Sequence, residues 1–166
     1  MYSREEEMYP DVKNWLKRVL AERCRGWEVF VEDTSRTILS KSLRRMGLHV
    51  YFPLYTTFEV KVDITGVVRR NEDARLVLVE CKLKRITLGD LSQLLGYSLV
   101  VSPAASIIVS PEWLSDGLNQ LLNVYGRNEV LEYGKTGRVT IAKWDKAKQD
   151  IDYNSIIPKG ADPLNF

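Results

Sequence analysis

The sequence predicts an α/β fold in which helices flank a mixed central β-sheet, and two observations support this prediction. Helical and apolar extended segments alternate along the chain after an amphipathic helical pattern near the N-terminus. Two extended segments, residues 58–68 and 76–83, are separated by a polar turn at residues 71–74, which is typical of neighbouring strands. Alternation of this kind places helices against the faces of a sheet.

The first helix is predicted from the spacing of its apolar residues. They follow the i, i+3, i+4, i+7, i+8 pattern and comprise Val12, Trp15, Leu16, Val19 and Leu20. Upstream, Ser3 and Glu6 fit a capping box. Pro10 either kinks this helix or opens a second one at its first turn.

The rest of the chain divides into short elements separated by glycine, proline and polar residues. We predict strands at 27–32 and 105–109, a short extended segment at 49–52, a helix or ordered loop at 34–46, helices at 88–100 and 111–125, and a hairpin of 129–133 with 138–144. Thr87 and Asp90 form a cap pair at the start of the 88–100 helix. Residues 1–144 are expected to form one domain. Residues 145–166 are polar and then irregular, and we expect a loosely packed or disordered tail there.

Composition excludes several functional classes. The chain lacks both an apolar run long enough to cross a bilayer and the apolar core of a secretory signal. We therefore expect a cytoplasmic protein with no membrane partner. With two cysteines and one histidine, the chain cannot form a four-cysteine cluster or a histidine-rich metal site. A catalytic metal would be bound mainly by carboxylates, which favours Mg²⁺ or Mn²⁺.

Three charged residues interrupt the two apolar strands on either side of the 71–74 turn. They are Asp63 in the first strand and Glu80 and Lys82 in the second. A buried charge is costly unless it is paired or binds a metal. Side chains two residues apart in a strand point the same way, so Glu80 and Lys82 share a face. If the two strands pair, Asp63 approaches the same point.

Two carboxylates and an ammonium at one sheet edge suit metal-assisted hydrolysis. Carboxylate oxygens bind a hard divalent cation, which lowers the pKa of a bound water and stabilises charge on a phosphoryl oxygen. Lys82 could orient or deprotonate that water, or screen the developing negative charge. The alternative interpretation of the same residues is a salt bridge between Lys82 and Asp63 or Glu80, without catalysis.

The order Asp63, sixteen residues, then Glu80-Cys81-Lys82 resembles the PD-(D/E)xK nuclease superfamily. The resemblance covers about residues 4–110 and implies a restriction-endonuclease-like core. It implies that Asp63, Glu80 and the backbone carbonyl of Cys81 bind the metal, and that Lys82 assists the water. Val62 stands where the superfamily usually has a proline before the aspartate.

A second similarity lies in the helix that follows the lysine. Gln93 and Tyr97 are four residues apart, on one helical face, and resemble the Gln-x-x-x-Tyr element of RecB-like nucleases. This resemblance implies contacts of both side chains with the DNA. The alternative is that Tyr97 packs on the sheet and Gln93 caps a nearby group.

A third similarity concerns the N-terminal acids. Archaeal Holliday-junction resolvases and many relatives carry a glutamate in the first helix that completes the metal site, and Glu5, Glu6 and Glu7 are candidates. Glu5 precedes Met8 by three residues and extends the apolar face, so we predict Glu5. Glu7 is the alternative if Pro10 begins a new helix. All three could also form a solvated first turn.

These observations together predict a metal-dependent deoxyribonuclease that uses Mg²⁺ (or Mn²⁺), with endonuclease or exonuclease action undecided. Lys84, Arg85 and Arg44 are expected to bind DNA phosphates. Two other interpretations stay open. One is a non-catalytic nucleic-acid-binding module on the same fold, with strongly salt-dependent binding. The other is a structural subunit of a larger complex. A homodimer is expected by analogy alone.

Overall fold

The computed structural model describes residues 1–166 and contains a mixed seven-stranded sheet flanked by helices, as predicted. The strands are β1 (Glu28–Asp33), β2 (Ile64–Arg70), β3 (Asp73–Cys81), β4 (Ala105–Ser110), β5 (Glu132–Tyr133), β6 (Gly137–Asp145) and β7 (Asp150–Ile157). Their order is β1-β2-β3-β4-β6-β5, and β7 also pairs with β6. The three central strands β3, β4 and β6 are parallel, and the remaining pairs are antiparallel.

Four α-helices cover the sheet. They are α1 (Tyr9–Arg23), α2 (Leu39–Arg45), α3 (Leu88–Val101) and α4 (Asp116–Asn119), the last continued by a π-helical turn (Gln120–Val124). Short 3₁₀ helices occur at Glu5–Met8, His49–Tyr51, Tyr55–Thr57 and Asn128–Leu131. None of these helices combines the length and the apolar character needed to cross a bilayer.

The alternation of side chains along β3 divides the core into two layers. Val77, Val79 and Cys81 point toward α1 and belong to one hydrophobic cluster, whereas Leu76 and Leu78 belong to the other. The second cluster also contains the buried residues of α2, α3 and α4. Because successive strand residues face opposite sides, β3 is buried on both faces from Leu76 to Cys81.

The N-terminal segment begins differently from the prediction. The capping box of Ser3 and Glu6 is wrong, because Ser3 donates from its backbone N–H and its hydroxyl to the carboxylate of Glu7, at 2.8 and 2.9 Å. A 3₁₀ turn comes first, and Pro10 lies in the first turn of a new helix, α1. The second of the two alternatives for Pro10 is therefore confirmed.

Three predicted boundaries are wrong because backbone groups find partners outside the predicted element. The strand predicted over 58–68 begins at Ile64, since the carbonyls of Phe58 and Val60 accept hydrogen bonds from the start of α2. Residues 49–51 form a 3₁₀ turn rather than an extended segment. The helix predicted over 111–125 begins at residue 116, because Leu114 forms a parallel bridge with Ile86.

The segment 145–166 is not the loosely packed or disordered tail that we predicted. It contains β7, which pairs with β6, and its buried side chains are Ile151, Ile156, Ile157 and Leu164. An irregularity in the pairing between Ile141 and Lys143 interrupts the period-two pattern of buried residues. That interruption removes the alternation by which a strand is detected in a sequence.

Candidate active site

The candidate site lies where Asp63, the residue directly before β2, meets the end of β3. The ladder between these strands pairs Ile64 with Val79, so Asp63 lies beside Glu80 at the next position. The N-terminal 3₁₀ turn approaches from one face of the sheet and α3 from the other. The predicted pairing of the two strands is thus confirmed, and it brings Asp63, Glu80 and Lys82 together.

Backbone contacts hold Asp63 just before β2. The Thr34 N–H donates to the carbonyl oxygen of Asp63 at 2.9 Å, and the Thr34 hydroxyl donates to the carbonyl of Val62 at 2.7 Å. The same hydroxyl is 2.7 Å from that of Thr65. Thr34 is buried and satisfies backbone groups where the β1–β2 ladder ends, so the position of Asp63 is tightly constrained.

The carboxylate of Asp63 accepts two hydrogen bonds and remains only 9% exposed. Its Oδ1 accepts from the Tyr9 hydroxyl at 2.9 Å, and its Oδ2 accepts from the Cys81 N–H at 2.8 Å. The Asp63 N–H donates to Oε1 of Glu80 at 3.3 Å. These contacts orient two carboxyl groups side by side.

Lys82 completes this group from the residue after β3. Its N–H donates to the carbonyl of Val109 at 2.9 Å, which fixes its backbone against β4. Its Nζ lies 3.9 Å from Oε2 of Glu80 and 3.7 Å from Oδ1 of Asp90 on α3. Asp90 also forms the predicted capping box with Thr87, which is confirmed, so one side chain both caps α3 and faces the lysine.

Glu5 is the N-terminal acid that reaches this region. Its Oε2 accepts a hydrogen bond from the Leu83 N–H at 3.2 Å, whereas Glu6 is exposed and Glu7 bonds to Ser3. The α-helical spacing that predicted Glu5 does not apply to a 3₁₀ turn. In a 3₁₀ helix, however, residues three apart eclipse one another, so Glu5 lies on the same side as the buried Met8.

The electrostatics of the site are dominated by buried carboxyl groups. Burial, followed by the neighbouring charge of Asp63, raises the pKa of Glu80 to about 9. Burial also raises the pKa of Asp63 and of Glu5, although hydrogen bonds to each carboxylate oppose the shift. Burial lowers the pKa of Lys82, but the surrounding carboxylates outweigh it and the net shift is upward. Adjacent buried carboxyls of this kind are stabilised by a cation.

Gln93 and Tyr97 lie on α3 beside the carboxyl pair. The Gln93 side-chain amide donates to the Tyr97 hydroxyl at 2.9 Å. Burial raises the pKa of Tyr97, and the charge of Glu80 adds to the shift. Both side chains retain exposed surface, so they are accessible to a ligand at the carboxyl pair.

The three predicted phosphate-binding residues do not all lie near the candidate site. Lys84 and Arg85 are exposed in the loop after β3, and Arg85 pairs with Asp116 at 3.2 Å. Arg44 lies on α2, where its guanidinium donates to the Tyr55 hydroxyl at 2.6 Å. The structure therefore places Lys84 and Arg85 next to Lys82 along the chain, but it gives Arg44 no contact with the site.

The oxygen donors at the site are of the kind that a hard divalent cation binds. No cluster of three or more His, Cys, Asp or Glu side chains is arranged to hold a metal ion. Asp63 and Glu80 remain as two adjacent carboxylates, with the backbone carbonyl of Cys81 between Glu80 and Lys82. Mg²⁺ usually binds one or two carboxylates and keeps several waters, so this donor set fits Mg²⁺ or Mn²⁺.

Sequence reasoning missed three residues of the site. Tyr9, Thr34 and Asp90 contact Asp63, its backbone and Lys82 respectively. Tyr9 lies directly before Pro10 and Thr34 follows β1. No local sequence pattern marks either residue as part of a site. Asp90 was assigned only a capping role, because its approach to Lys82 depends on how α3 packs on the sheet.

Comparisons with known proteins give limited information. No protein-family model matches the chain, and no curated protein matches it. One similar solved structure is the crystal structure of a protein of unknown function, AF1548, with a TM-score of 0.40 and 13% sequence identity. The match covers 84% of this chain and 59% of that one. This similarity is too low to transfer a fold family or an activity.

Proposed function

We propose that this protein is a metal-dependent nuclease that hydrolyses phosphodiester bonds in DNA on a restriction-endonuclease-like core. The observation that carries the proposal is the convergence of two buried carboxyls, Asp63 and Glu80, with the ammonium of Lys82 at one sheet edge. The resemblance of these residues to the PD-(D/E)xK pattern supports the assignment, and the donor set fits Mg²⁺ or Mn²⁺.

In this proposal, separate residues bind the cation, orient its ligands and screen charge on the phosphate. Asp63, Glu80 and the Cys81 carbonyl would hold the cation, which when bound supplies an acidic water and charge stabilisation at the phosphoryl oxygen. Tyr9 keeps one oxygen of Asp63 oriented by its hydrogen bond. Lys82 is held as an ammonium by nearby carboxylates, so it orients water and screens negative charge on the phosphate.

The surrounding residues would position the DNA. Gln93 and Tyr97 form a hydrogen-bonded pair beside Glu80 and present an amide and a hydroxyl to the strand. Lys84 and Arg85 extend basic charge along the loop from Lys82, which suits neighbouring phosphates. Glu5 ties the N-terminal turn to the Leu83 backbone and so supports the loop that carries these groups.

The test is cleavage of labelled single-stranded, duplex and four-way-junction DNA in Mg²⁺, Mn²⁺ or EDTA. We expect metal-dependent cleavage that Asp63→Asn abolishes and Lys82→Ala lowers by about 100-fold or more, the size typical of a lost electrostatic group. Asp73→Asn and Lys148→Ala are matched controls, because both side chains are exposed and lie away from the site.

Two results would contradict the proposal. Full activity of folded Asp63→Asn would place the chemistry elsewhere. DNA binding that falls steeply with salt, without cleavage in either metal, would instead establish a non-catalytic binding module on this fold. Circular dichroism of each variant shows that it is folded.

A further inference from the structure

A cavity of about 620 Å³ lies between residues 113–128 and the strands β6 and β7, and none of the residues assigned above lines it. Its volume falls within the range of small-ligand sites in proteins. Its polar and aromatic lining residues include Trp113, Asn123, Asn128, Lys143, Asn154 and Lys159. No aspartate or glutamate lines it, so its two lysines favour a negatively charged ligand, and the indole of Trp113 offers a surface on which a planar group can stack.

The strand register relates this cavity to Lys82. The parallel strands β3, β4 and β6 end at the same edge of the sheet, and Lys143 lies opposite Ser110, two rows beyond the pairs that join Glu80, Ile108 and Ile141. Lys143 therefore points to the same face as Glu80. The backbones of Lys82 and Lys143 are two strand spacings apart, which is a distance of roughly 10 Å.

The two lysines of the cavity have no partner of opposite charge. Neither Lys143 nor Lys159 forms an ion pair, although Asp152 lies opposite Lys143 in the β6–β7 register. The side-chain oxygen Oδ1 of Asn128 is buried without a hydrogen-bond donor. The cavity thus offers two free ammonium groups and an unused acceptor, which match phosphate oxygens and a base amino group.

Trp113 is held in a conformation that bulky residues rarely adopt. Its φ is +73°, and its carbonyl accepts a hydrogen bond from the Ile86 N–H at 2.8 Å. The other wall includes Leu122 and Asn123, which belong to the π-helical turn. Strained backbone and π-helical turns both concentrate at functional sites, because the surrounding structure must maintain them against a free-energy cost.

We propose that this cavity binds one unpaired nucleotide of the DNA strand whose scissile phosphate lies at Lys82. The base stacks on Trp113, and Lys143 and Lys159 contact its phosphates. The distance of roughly 10 Å between Lys82 and Lys143 corresponds to about three nucleotides at the 3.4 Å rise of stacked DNA. A base that is paired within a duplex cannot stack on the indole, so the preferred substrate is single-stranded or frayed DNA. This inference rests on the proposed function for its choice of DNA.

The test is equilibrium binding in EDTA, measured by fluorescence anisotropy with a labelled single-stranded oligonucleotide and with its duplex. Trp113→Gly removes the ring and tolerates the positive φ, and we expect it to weaken single-strand binding about 5- to 150-fold. Trp113→Phe should restore most of the affinity, because it keeps an aromatic face. The double variant Lys143→Ala/Lys159→Ala should lower the slope of log affinity against log salt concentration by about two. The control Lys148→Ala, which lies outside the cavity, should leave this slope unchanged.

The outcomes separate this inference from the proposed function. Single-strand affinity that Trp113→Gly leaves unchanged, in a protein that cleaves DNA, would overturn the nucleotide site and leave the nuclease standing. Binding that depends on Trp113, in a protein that never cleaves, would support the site and reject the nuclease. An equal loss of single-strand affinity in Trp113→Gly and Trp113→Phe would also overturn the nucleotide site, because a phenylalanine ring can still stack on a base.

Discussion

Replacing Glu80 by glutamine should stabilise the metal-free protein at neutral pH while removing the function that the carboxylate would serve. Glu80 is only 4% exposed, and burial beside Asp63 raises its pKa to about 9. The folded protein therefore retains a proton that the unfolded chain releases near pH 4.5. Glutamine has nearly the same shape, remains neutral, and can still accept the hydrogen bond from the Asp63 N–H.

The sign and size of the effect follow from proton linkage. A raised pKa in the folded state means that stability is complete below about pH 4.5 and falls as the pH rises toward 9. The interval between pH 4.5 and pH 7, at 1.36 kcal/mol per unit, corresponds to about 3 kcal/mol lost from the wild-type protein at neutrality. Glu80→Gln should recover most of that loss, and the gain should vanish near pH 4.5.

Urea unfolding in EDTA at several pH values measures this difference directly. Glu72→Gln is the matched control, because Glu72 is exposed in the turn before β3. Addition of Mg²⁺ at about 100 times its Kd should stabilise the wild-type protein by about 2.7 kcal/mol but should not stabilise Glu80→Gln. Equal free energies of unfolding for wild type and Glu80→Gln across the pH range would refute the reasoning.

Three further predictions concern the parts that build the site. Tyr9→Phe removes the buried hydrogen bond to Asp63 and should lower cleavage about tenfold, mainly by raising the Mg²⁺ concentration needed, since bonds to charged groups contribute about 1.5–3 kcal/mol. Gly66→Ala should lower the free energy of unfolding by about 1–3 kcal/mol, because the added Cβ would lie 3.0 Å from Leu20 and 3.1 Å from Leu16. Truncation after residue 149 removes β7 and should unfold or aggregate the chain, because four buried side chains at about 1.5–3 kcal/mol each are lost.

Each of these predictions has a result that contradicts it. An unchanged Mg²⁺ requirement in Tyr9→Phe would show that the hydroxyl does not orient Asp63. A fully stable Gly66→Ala would mean that α1 shifts away from β2 without cost. A truncated chain with the wild-type melting temperature would show that β7 adds nothing to the sheet.

Most of the fold was predictable where the local pattern and the tertiary structure agree. The apolar spacing from Val12 to Leu20 predicted α1, and Thr87 with Asp90 predicted the start of α3, because both signals act within one helix. The strand over 58–68 was predicted too long. Its first residues bond to α2, which no local period can indicate.

The three charged residues at the centre of the candidate site were predictable from the sequence alone. Asp63, Glu80 and Lys82 stand out because each is costly within an apolar strand, and the period of two places Glu80 and Lys82 on one face. Tertiary structure alone decided which groups surround them. Tyr9 and Asp90 reach the site through contacts between different elements, and the cavity at Trp113 forms only where residues 113–128 meet Lys143 and residues 154–159. A strand period is a local property, whereas a contact across the sheet depends on the packing of the whole chain.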